Sequence, residues 1–384
     1  MLLARRHIWA AMVLVVAAGV TLAACSSIAP KPTATTLPPK AISTSVHAYV
    51  YARYAIPQSF GGRGVLDRAG ISTGSLGILL AVAGSNVPGN LVEVSAASKQ
   101  LNVLERAPVG AYPTVVSADS GSAWVLNSAM PGPGVLPQAD SGTVFQFNRG
   151  LGMTYRYRLP TTSAAGHYGN PFAMVSSGGT AWVVYSGPSL RIMALNDGKE
   201  SYLNSLPKIS WNTNVSGNPS TVALCNLRLW LATSTYLGAG STKLYEINLS
   251  SGHLVKQLTL PGSGEIHLAC APSGVLVAGD SGALYLASSS GAVKISPAAK
   301  VSGGLWATSA VVVGSVIWAS CLVGAEGHEL VAYNLRSPHQ VLGRMNLGSG
   351  PQAGVSDLVA NGNTLIGLSS PFNLVIIKTA NTIS

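Results

Sequence analysis

The chain has 384 residues, of which 47% are hydrophobic and only 9% are charged, and its formal net charge is +10. This apolar content suffices for a large core and excludes a disordered protein. The positive charge is not gathered in a Lys/Arg cluster with interleaved aromatic residues, so the sequence gives no support for nucleic-acid binding.

The first 24 residues have the composition of an export signal. Arg5 and Arg6 form a positive start, and Ile8–Ala24 is uncharged and largely apolar. The small residues that end this segment, followed by Cys25, resemble the lipobox of bacterial lipoproteins. The resemblance implies cleavage before Cys25 and diacylglycerol on its thiol, which would hold the protein on the extracytoplasmic face of the cell membrane. The alternatives are an ordinary signal peptide and an uncleaved anchor, for which the apolar segment is short.

The next segment, residues 25–45, is rich in Pro, Thr and Ser and has no apolar period. Segments of this composition stay extended and solvated. The sequence therefore predicts three parts: a signal peptide at residues 1–24, a tether at residues 25–45 and a folded domain at residues 46–384.

A short apolar strand recurs throughout the predicted domain. Its clearest copies contain tryptophan, as in SAWVLN at Ser122–Asn127 and RLWLAT at Arg228–Thr233. Equivalent positions are 41 to 58 residues apart. This period suits a four-stranded propeller blade and is too long for leucine-rich or TPR repeats. The seven anchor positions are Leu80, Trp124, Trp182, Trp230, Val277, Trp318 and Ile366.

Two further signals flank the anchors. Proline opens an innermost strand eleven residues before the anchor at Pro113, Pro171 and Pro219, and Pro351 is a fourth copy with extra residues before its anchor. After the anchor comes a strand of alternating apolar and polar residues, such as Lys243–Asn248. Each repeat is therefore expected to supply four strands, with the anchor in the second.

These repeats predict an all-β fold, a seven-bladed β-propeller of four-stranded blades. The last repeat stops after its third strand, near Thr379, whereas a spare strand-like segment precedes the first repeat at Val46–Ala55. We predict that Val46–Ala55 closes the ring as the outer strand of the seventh blade. The alternative is that it continues the flexible tether.

The order of these motifs resembles that of extracytoplasmic seven-bladed propellers of the YVTN and virginiamycin B lyase-like type. The resemblance covers residues 46–384 and is carried by the Pro-x-x-Val, Trp-Val/Leu, alternating-strand and Ser-Gly elements. Neither the Trp-Asp dipeptide of WD repeats nor the Gly-Gln-Thr motif of quinoprotein dehydrogenases occurs. The lyase resemblance implies a His-based acid/base site with a bound metal at one mouth of the channel. The paired catalytic histidines of that family have no motif-level match here.

Three histidines and two carboxylates are the candidates for such a site. His267 lies near the start of an innermost strand, His328 is expected in a loop after the Trp318 strand, and His167 lies in a long connection between blades. Connections between blades share one face with those that follow each second strand, so these residues can converge there, as general base catalysis requires. Structural or surface roles are the alternative. The candidates are His167, His267, His328, Glu265 and Glu326.

Three long connections form a separate signal for binding. They are Asn127–Ser141, Pro160–Pro171 and Pro207–Pro219, and all should emerge on the same face. Aromatic and amide side chains in such loops suit the recognition of a sugar or a peptide. The alternative is that the loops pack on each other. The candidate ligand-binding residues are Tyr168, Trp211, Asn212, Asn214 and Tyr236.

Beyond Cys25 the chain contains Cys225, Cys270 and Cys321, and no CxxC pair that would indicate structural zinc or thioredoxin chemistry. Cys225 and Cys270 occupy near-equivalent positions on innermost strands of adjacent blades. We therefore put forward a disulfide between them, which an oxidising exterior permits. The alternative is two small buried hydrophobic residues.

One apparent catalytic motif is rejected. Gly279–Gly282 (GDSG) matches the segment around a trypsin-like nucleophile, but it lies between two predicted strands, where Asp-Ser-Gly is ordinary hairpin chemistry. We predict a membrane-anchored, monomeric binding or scaffold module for a protein, peptide or glycan partner, with no cofactor or metal. The alternative is a metal-assisted lyase or hydrolase with a His-based site at the channel mouth.

Overall fold

We describe the protein from a computed structural model. The described residues are 46–61, 66–84, 88–95, 101–111, 113–127, 142–159, 170–186, 191–202, 219–233, 241–261, 266–279, 284–295, 305–324, 327–350, 352–369 and 372–381. Thr44–Ser384 belongs to one compact unit. The predicted signal peptide, Cys25 and nearly all of the tether precede this unit and lie outside the described residues, so these boundaries remain predictions. In the described ranges no helix is long and apolar enough to cross a membrane.

The domain consists of seven four-stranded antiparallel sheets, which are the blades of a β-propeller. The predicted fold class is thereby confirmed. The chain opens with β1 (Val46–Ala55) and a 3₁₀ turn (Gln58–Gly61). Blade 1 is β2 (Leu66–Gly74), β3 (Gly77–Gly84), β4 (Pro88–Ser95) and β5 (Asn102–Ala111); blade 2 is β6 (Pro113–Ala118), β7 (Ala123–Asn127), β8 (Thr143–Phe147) and β9 (Met153–Arg158). Blade 3 is β10 (Asn170–Ser177), β11 (Thr180–Ser186), β12 (Arg191–Asn196) and β13 (Lys199–Tyr202); blade 4 is β14 (Pro219–Cys225), β15 (Arg228–Thr233), β16 (Ser241–Asn248) and β17 (His253–Pro261). Blade 5 is β18 (Ile266–Ala271), β19 (Gly274–Gly279), β20 (Leu284–Ser288) and β21 (Gly291–Ile295); blade 6 is β22 (Leu305–Val313), β23 (Val316–Val323), β24 (Gly327–Asn334) and β25 (Val341–Ser349). Blade 7 is β26 (Ser356–Asn361), β27 (Thr364–Ser369), β28 (Asn373–Asn381) and, as its outer strand, β1.

The anchors all lie on second strands, as the repeat predicts. Pro113 and Pro219 open innermost strands, and Pro171 is the second residue of one. The seventh innermost strand begins only at Ser356, five residues after Pro351, because a longer connection precedes it. The first strand of each blade contacts the first strands of its neighbours, and this contact closes the inner ring.

The ring is closed by the two ends of the domain. β1 pairs antiparallel with β28, from Val46 opposite Asn381 to Ala55 opposite Asn373. The prediction for Val46–Ala55 is therefore confirmed, and the alternative of a flexible continuation is wrong. Arg53 of β1 also donates hydrogen bonds to backbone carbonyls around the connection from blade 6 to blade 7. The acceptors are Leu347 (3.2 Å), Gln352 (3.0 Å) and Ala353 (3.3 Å).

The apolar core lies between the blades. Its seven clusters of buried side chains each join two adjacent blades, because a twisted sheet with two apolar faces needs a neighbour on both sides. Trp124, with no exposed surface, packs between blades 2 and 3, and its ring centroid is 6.0 Å from that of Tyr157. Burial of an aromatic side chain of this size contributes roughly 4–6 kcal/mol before the entropic cost is counted. Trp182 differs, because it is only partly buried.

Strand direction gives the propeller two distinct faces. Turns from first to second strands and from third to fourth strands lie at one face, which we call the short-turn face. Connections from second to third strands and from each blade to the next lie at the other, the long-connection face. Val46 pairs with the last residue of a third strand and thus lies at the short-turn face. The first described residue of the domain therefore lies on the side opposite the long connections.

The short-turn face is built from compact hairpins. At Asp119–Ser122 the aspartate carboxylate accepts the N–H groups of Gly121 and Ser122, at 3.1 and 3.0 Å. Its second oxygen accepts the N–H of Gly179 on the next blade at 2.9 Å. This Asp-Ser-Gly sequence is therefore a hairpin turn that also joins two blades. The related Asp280-Ser281-Gly282 sequence lies outside the described residues, in the connection that follows β19.

Candidate functional site at the channel mouth

The innermost strands of all seven blades line a central cavity of about 510 Å³. Most of the described residues of this wall are Val, Ala, Leu and Ile. Among the described lining residues, His267 and Asp357 are the ones with ionisable side chains. Both lie near the starts of first strands, and therefore toward the long-connection face.

His267 and Asp357 form a pair across blade 6. The imidazole Nδ1 of His267, on β18, is 3.4 Å from the carboxylate Oδ1 of Asp357, on β26. The side chains are 18% and 43% exposed, respectively. The hydroxyl of Ser356 donates to Oδ2 of Asp357 at 3.4 Å. A base and an orienting carboxylate are therefore present, open to solvent in the channel.

Local backbone geometry places Asp357 in this position. The pairing of β26 with β27 shifts between Ser356 and Val359, and Asp357 has a φ of +48°. Such a bulge redirects a side chain, and aspartate tolerates the left-handed region better than most residues. The next residue, Leu358, donates its buried N–H to the Ser309 hydroxyl of blade 6 at 2.8 Å. Sequence reasoning missed Asp357, although it is the one carboxylate among the described lining residues.

The residues of the predicted histidine site do not all lie in the same part of the molecule, and several are not described. His267 lies on the channel wall, whereas His167, Glu265 and Glu326 are outside the described residues. The expectation that His328 lies in a loop is wrong, because His328 is the second residue of strand β24. The hairpin joining β23 to β24 is shorter than expected, so the strand begins before the apolar residues that marked it. Among the described residues, the carboxylate next to His267 is that of Asp357, and the predictions for Glu265 and Glu326 remain predictions.

His328 contacts the connection between blades 6 and 7, beside the bonds made by Arg53. A methyl group added at Gly354 would lie 2.6 Å from Cε1 of His328, so the imidazole packs directly on this glycine. Burial lowers the pKa of His328; its hydrogen bond with the backbone of Gly350 raises it, and the charge of Arg53 lowers it further. His328 is thus placed to hold a connection and is not among the channel-lining residues.

The described residues contain no group of three or more His, Cys, Asp or Glu side chains that could hold a metal ion. Cys321 is buried, and this burial raises the pKa of its thiol to about 12. A thiol that stays protonated at neutral pH is a poor nucleophile. The buried cysteine therefore has a packing role in the core between blades 5 and 6.

Cys225 and Cys270 form a disulfide in the structure, with Cα atoms 5.3 Å apart. They lie on β14 and β18, the innermost strands of blades 4 and 5, near the short-turn ends of those strands. The bond joins two blades at the channel wall, so it restrains the channel from the side opposite the His267–Asp357 pair.

The predicted ligand-binding residues lie outside the described residues. They are Tyr168, Trp211, Asn212, Asn214 and Tyr236. The strands on either side of them are described, and their ends fix the face from which the segments leave. Residues 203–218 join blade 3 to blade 4, and residues 234–240 join β15 to β16. Both segments therefore start and finish at the long-connection face, on the same side as the channel mouth.

Comparisons with solved structures agree with this architecture. The WD40 domain of Pan2 from Neurospora crassa aligns with a TM-score of 0.58 at 11% identity, over 89% of this chain and 98% of that chain. BamB from Moraxella catarrhalis gives a TM-score of 0.51 at 14% identity, over 86% and 98%. The Swd1 β-propeller domain of Myceliophteria thermophila gives 0.53 at 10% identity, over 82% and 98%. Identities this low establish the β-propeller class alone.

No protein-family model and no curated protein matches the chain.

Proposed function

We propose that this chain is a lipid-anchored extracytoplasmic β-propeller that acts as a binding or scaffold module for a protein, peptide or glycan partner. The observation that carries the proposal is the separation of the two faces. The chain enters the ring at Val46 on the short-turn face, and the long connections leave from the opposite face. An anchor on Cys25 would thus leave the long-connection face open to a partner.

The length of the predicted tether is compatible with this arrangement. Twenty residues separate Cys25 from Val46. A flexible chain of that length has a root-mean-square span of about 25 Å, and an extended Pro-rich chain spans about 60 Å. The Cys225–Cys270 disulfide supports an oxidising location outside the cytoplasm. The motif order of the YVTN and virginiamycin B lyase-like propellers supports the same assignment.

The anchor is tested by detergent-phase partition and labelling with radioactive palmitate in a bacterial host that processes lipoproteins. We expect the wild-type chain to enter the detergent phase and to take up label. Cys25→Ala should do neither, whereas Cys321→Ala should behave as wild type in labelling. Equal labelling of wild type and Cys25→Ala would contradict the lipid anchor.

The binding function is tested by affinity capture from solubilised envelopes. The full chain is compared with a variant in which residues 208–218 are replaced by a Gly/Ser segment of equal length. The control replaces the short-turn hairpin at residues 249–252 in the same way. We expect a captured partner with wild type and with the control, and none with the first variant. Retention by both variants would contradict a binding site in this connection.

The alternative, a metal-assisted lyase or hydrolase, is favoured by one observation. His267 with Asp357 supplies a base and its orienting group in an accessible cavity. A metal would need further ligands, and the candidates are His167, Glu265 and Glu326, outside the described residues. Elemental mass spectrometry of the full chain, purified without a histidine tag, distinguishes the enzyme from the binding module. A stoichiometric divalent metal that is lost in His267→Ala would favour the enzyme, and a metal-free protein would favour the binding module.

A further inference from the structure

We propose that the channel mouth binds a cationic group, an ammonium or a guanidinium, carried on a short aliphatic stem. Asp357 accepts the cation and the apolar channel wall takes the stem. This site consists of residues of the ring itself, so the proposal does not depend on the lipid anchor or on the class of partner proposed above.

The carboxylate of Asp357 has unused hydrogen-bonding capacity. A carboxylate can accept about four hydrogen bonds. Within the part of the chain that the structure describes, Asp357 contacts His267 and Ser356, both at 3.4 Å and so longer than the usual range for a hydrogen bond. Asp119 is the internal comparison, since its two oxygens accept four bonds of 2.9 to 3.1 Å. Asp119 is a structural carboxylate, whereas Asp357 presents acceptors to the channel.

Backbone geometry supports a role in binding for Asp357. Its φ of +48° lies in the left-handed region, which residues other than glycine seldom adopt. The bulge in β26 that imposes this conformation turns the carboxylate toward His267 of blade 5. Strained residues at a cavity mouth are typical of sites where a side chain must be aimed at a ligand.

The surrounding wall matches an aliphatic stem. Leu268, Ala310, Val311 and Leu358 line the channel on the strands that carry or separate the pair. The burial of methylene groups against such a surface is favourable. The cavity, at about 510 Å³, has room for a side chain or a small amine.

The pair favours a cation over an anion. An anion bound to His267 would lie within a few ångströms of the Asp357 carboxylate, where like charges repel. For a cation bound to Asp357, the one other ionisable side chain among the described lining residues is His267. Replacing that imidazole should therefore leave cation binding intact or strengthen it.

Isothermal titration calorimetry on the full chain in non-ionic detergent tests the proposal. The probes are n-butylguanidinium and n-butylammonium, with n-butyrate and n-butanol as the anionic and neutral controls. We expect the two cations to bind and the controls not to bind. Asp357→Asn should weaken cation binding about tenfold or more, because a charge-assisted bond is lost. His267→Gln should retain it.

Asparagine and glycine both tolerate the backbone conformation of position 357, so Asp357→Asn and Asp357→Gly should fold and should lose binding alike. Circular dichroism melting curves provide the folding check. Asp119→Asn is the control that removes a carboxylate elsewhere. A capped Gly-Gly-Arg-Gly-Gly peptide distinguishes the two possible sources of the bound cation. Tighter binding of the peptide than of n-butylguanidinium indicates a side chain of a protein partner. Equal binding indicates a free amine or guanidine.

Three results would overturn the proposal. They are the absence of binding by both cations, cation binding unchanged in Asp357→Asn, and n-butyrate binding that is lost in His267→Gln. None of these results bears on capture through residues 208–218 or on the modification of Cys25. Failure of the channel site and failure of the proposed function can therefore be told apart.

Discussion

The two faces of the propeller are held together in different ways. At the short-turn face, two-residue hairpins fix the strand ends locally, and the Cys225–Cys270 disulfide joins two of these ends covalently. At the long-connection face, the described restraints are non-covalent contacts between different segments, such as those of Arg53 with Gln352 and of His328 with Gly354. A face fixed by local geometry leaves the other free to vary its connections. Binding sites on rigid scaffolds are commonly placed in this manner.

The largest effect should come from removing the covalent restraint at the short-turn face. Cys225 and Cys270 are 45 residues apart, and the entropy of closing a loop of that length gives about 4 kcal/mol as an upper value. We expect Cys225→Ser with Cys270→Ser to lower the free energy of unfolding by about 2–4 kcal/mol in urea titrations. Reduced wild type is the control and should lose a similar amount. Mass mapping that finds both residues as free thiols in exported protein would contradict the bond.

A smaller loss should follow from crowding the long-connection face. Gly354→Ala places a methyl group 2.6 Å from Cε1 of His328, so the imidazole must move and its hydrogen bond with Gly350 is disturbed. We expect a cost of about 1–2 kcal/mol in the free energy of unfolding. In a His328→Ala background the same change should cost much less, and a double-mutant cycle measures the difference. An equal cost in both backgrounds would show that His328 is not the obstacle.

One hairpin of the short-turn face offers a substitution that should raise the stability of the protein. Asn226 and Leu227 are the two central residues of the turn joining β14 to β15, with φ values of +51° and +61°. A bulky residue is strained in this conformation, and Leu227 is 64% exposed, so it gains little from packing. The equivalent turn of blade 3 uses Gly178 and Gly179, with φ of +58° and +77°.

We therefore expect Leu227→Gly to raise the free energy of unfolding by about 1 kcal/mol. Leu227→Ala is the control, since it removes the exposed side chain but keeps the Cβ atom and should give little gain. A loss of stability in Leu227→Gly would contradict this view of the turn.

The smallest effect should be a pH dependence at the long-connection face. Burial lowers the pKa of His328 in the folded state below its value of about 6.5 in the unfolded chain. The unfolded state therefore binds more protons as the pH falls. The stability that neutral His328 provides is full above about pH 6.5 and is lost as the pH falls through the folded pKa.

Urea titrations between pH 7.5 and pH 5 should thus show a decline that is shallower in His328→Gln than in wild type. His253→Gln, at an exposed histidine, should leave the slope as in wild type. A steeper decline in His328→Gln would contradict the direction of the pKa change.

The fold could be predicted from the sequence because its main constraint repeats. Each blade must bury both faces, so residues such as Trp124 and Trp318 recur at one position of the second strand. The closing strand was predictable by counting, since the last repeat lacks a fourth strand and Val46–Ala55 has the alternating composition of one. Trp182 shows the limit of this argument, because the same motif there leaves the ring partly exposed.

The channel site could be predicted only in part. His267 was identified because it begins an inner strand, but its partner depends on ring closure, which brings blades 5 and 7 together across 90 residues. A bulge then decides which way Asp357 points, and no local pattern in VSDLVAN indicates it. His328 was misplaced because polar residues at the start of β24 conceal the strand.

Site-specific photo-crosslinking in native envelopes tests the proposal that the partner binds at the long-connection face. A photoreactive phenylalanine at position 211, in the connection from blade 3 to blade 4, is compared with the same residue at position 227, in the exposed hairpin of the short-turn face. We expect a discrete adduct with a partner from position 211 and none from position 227. An adduct from position 227 alone would contradict it.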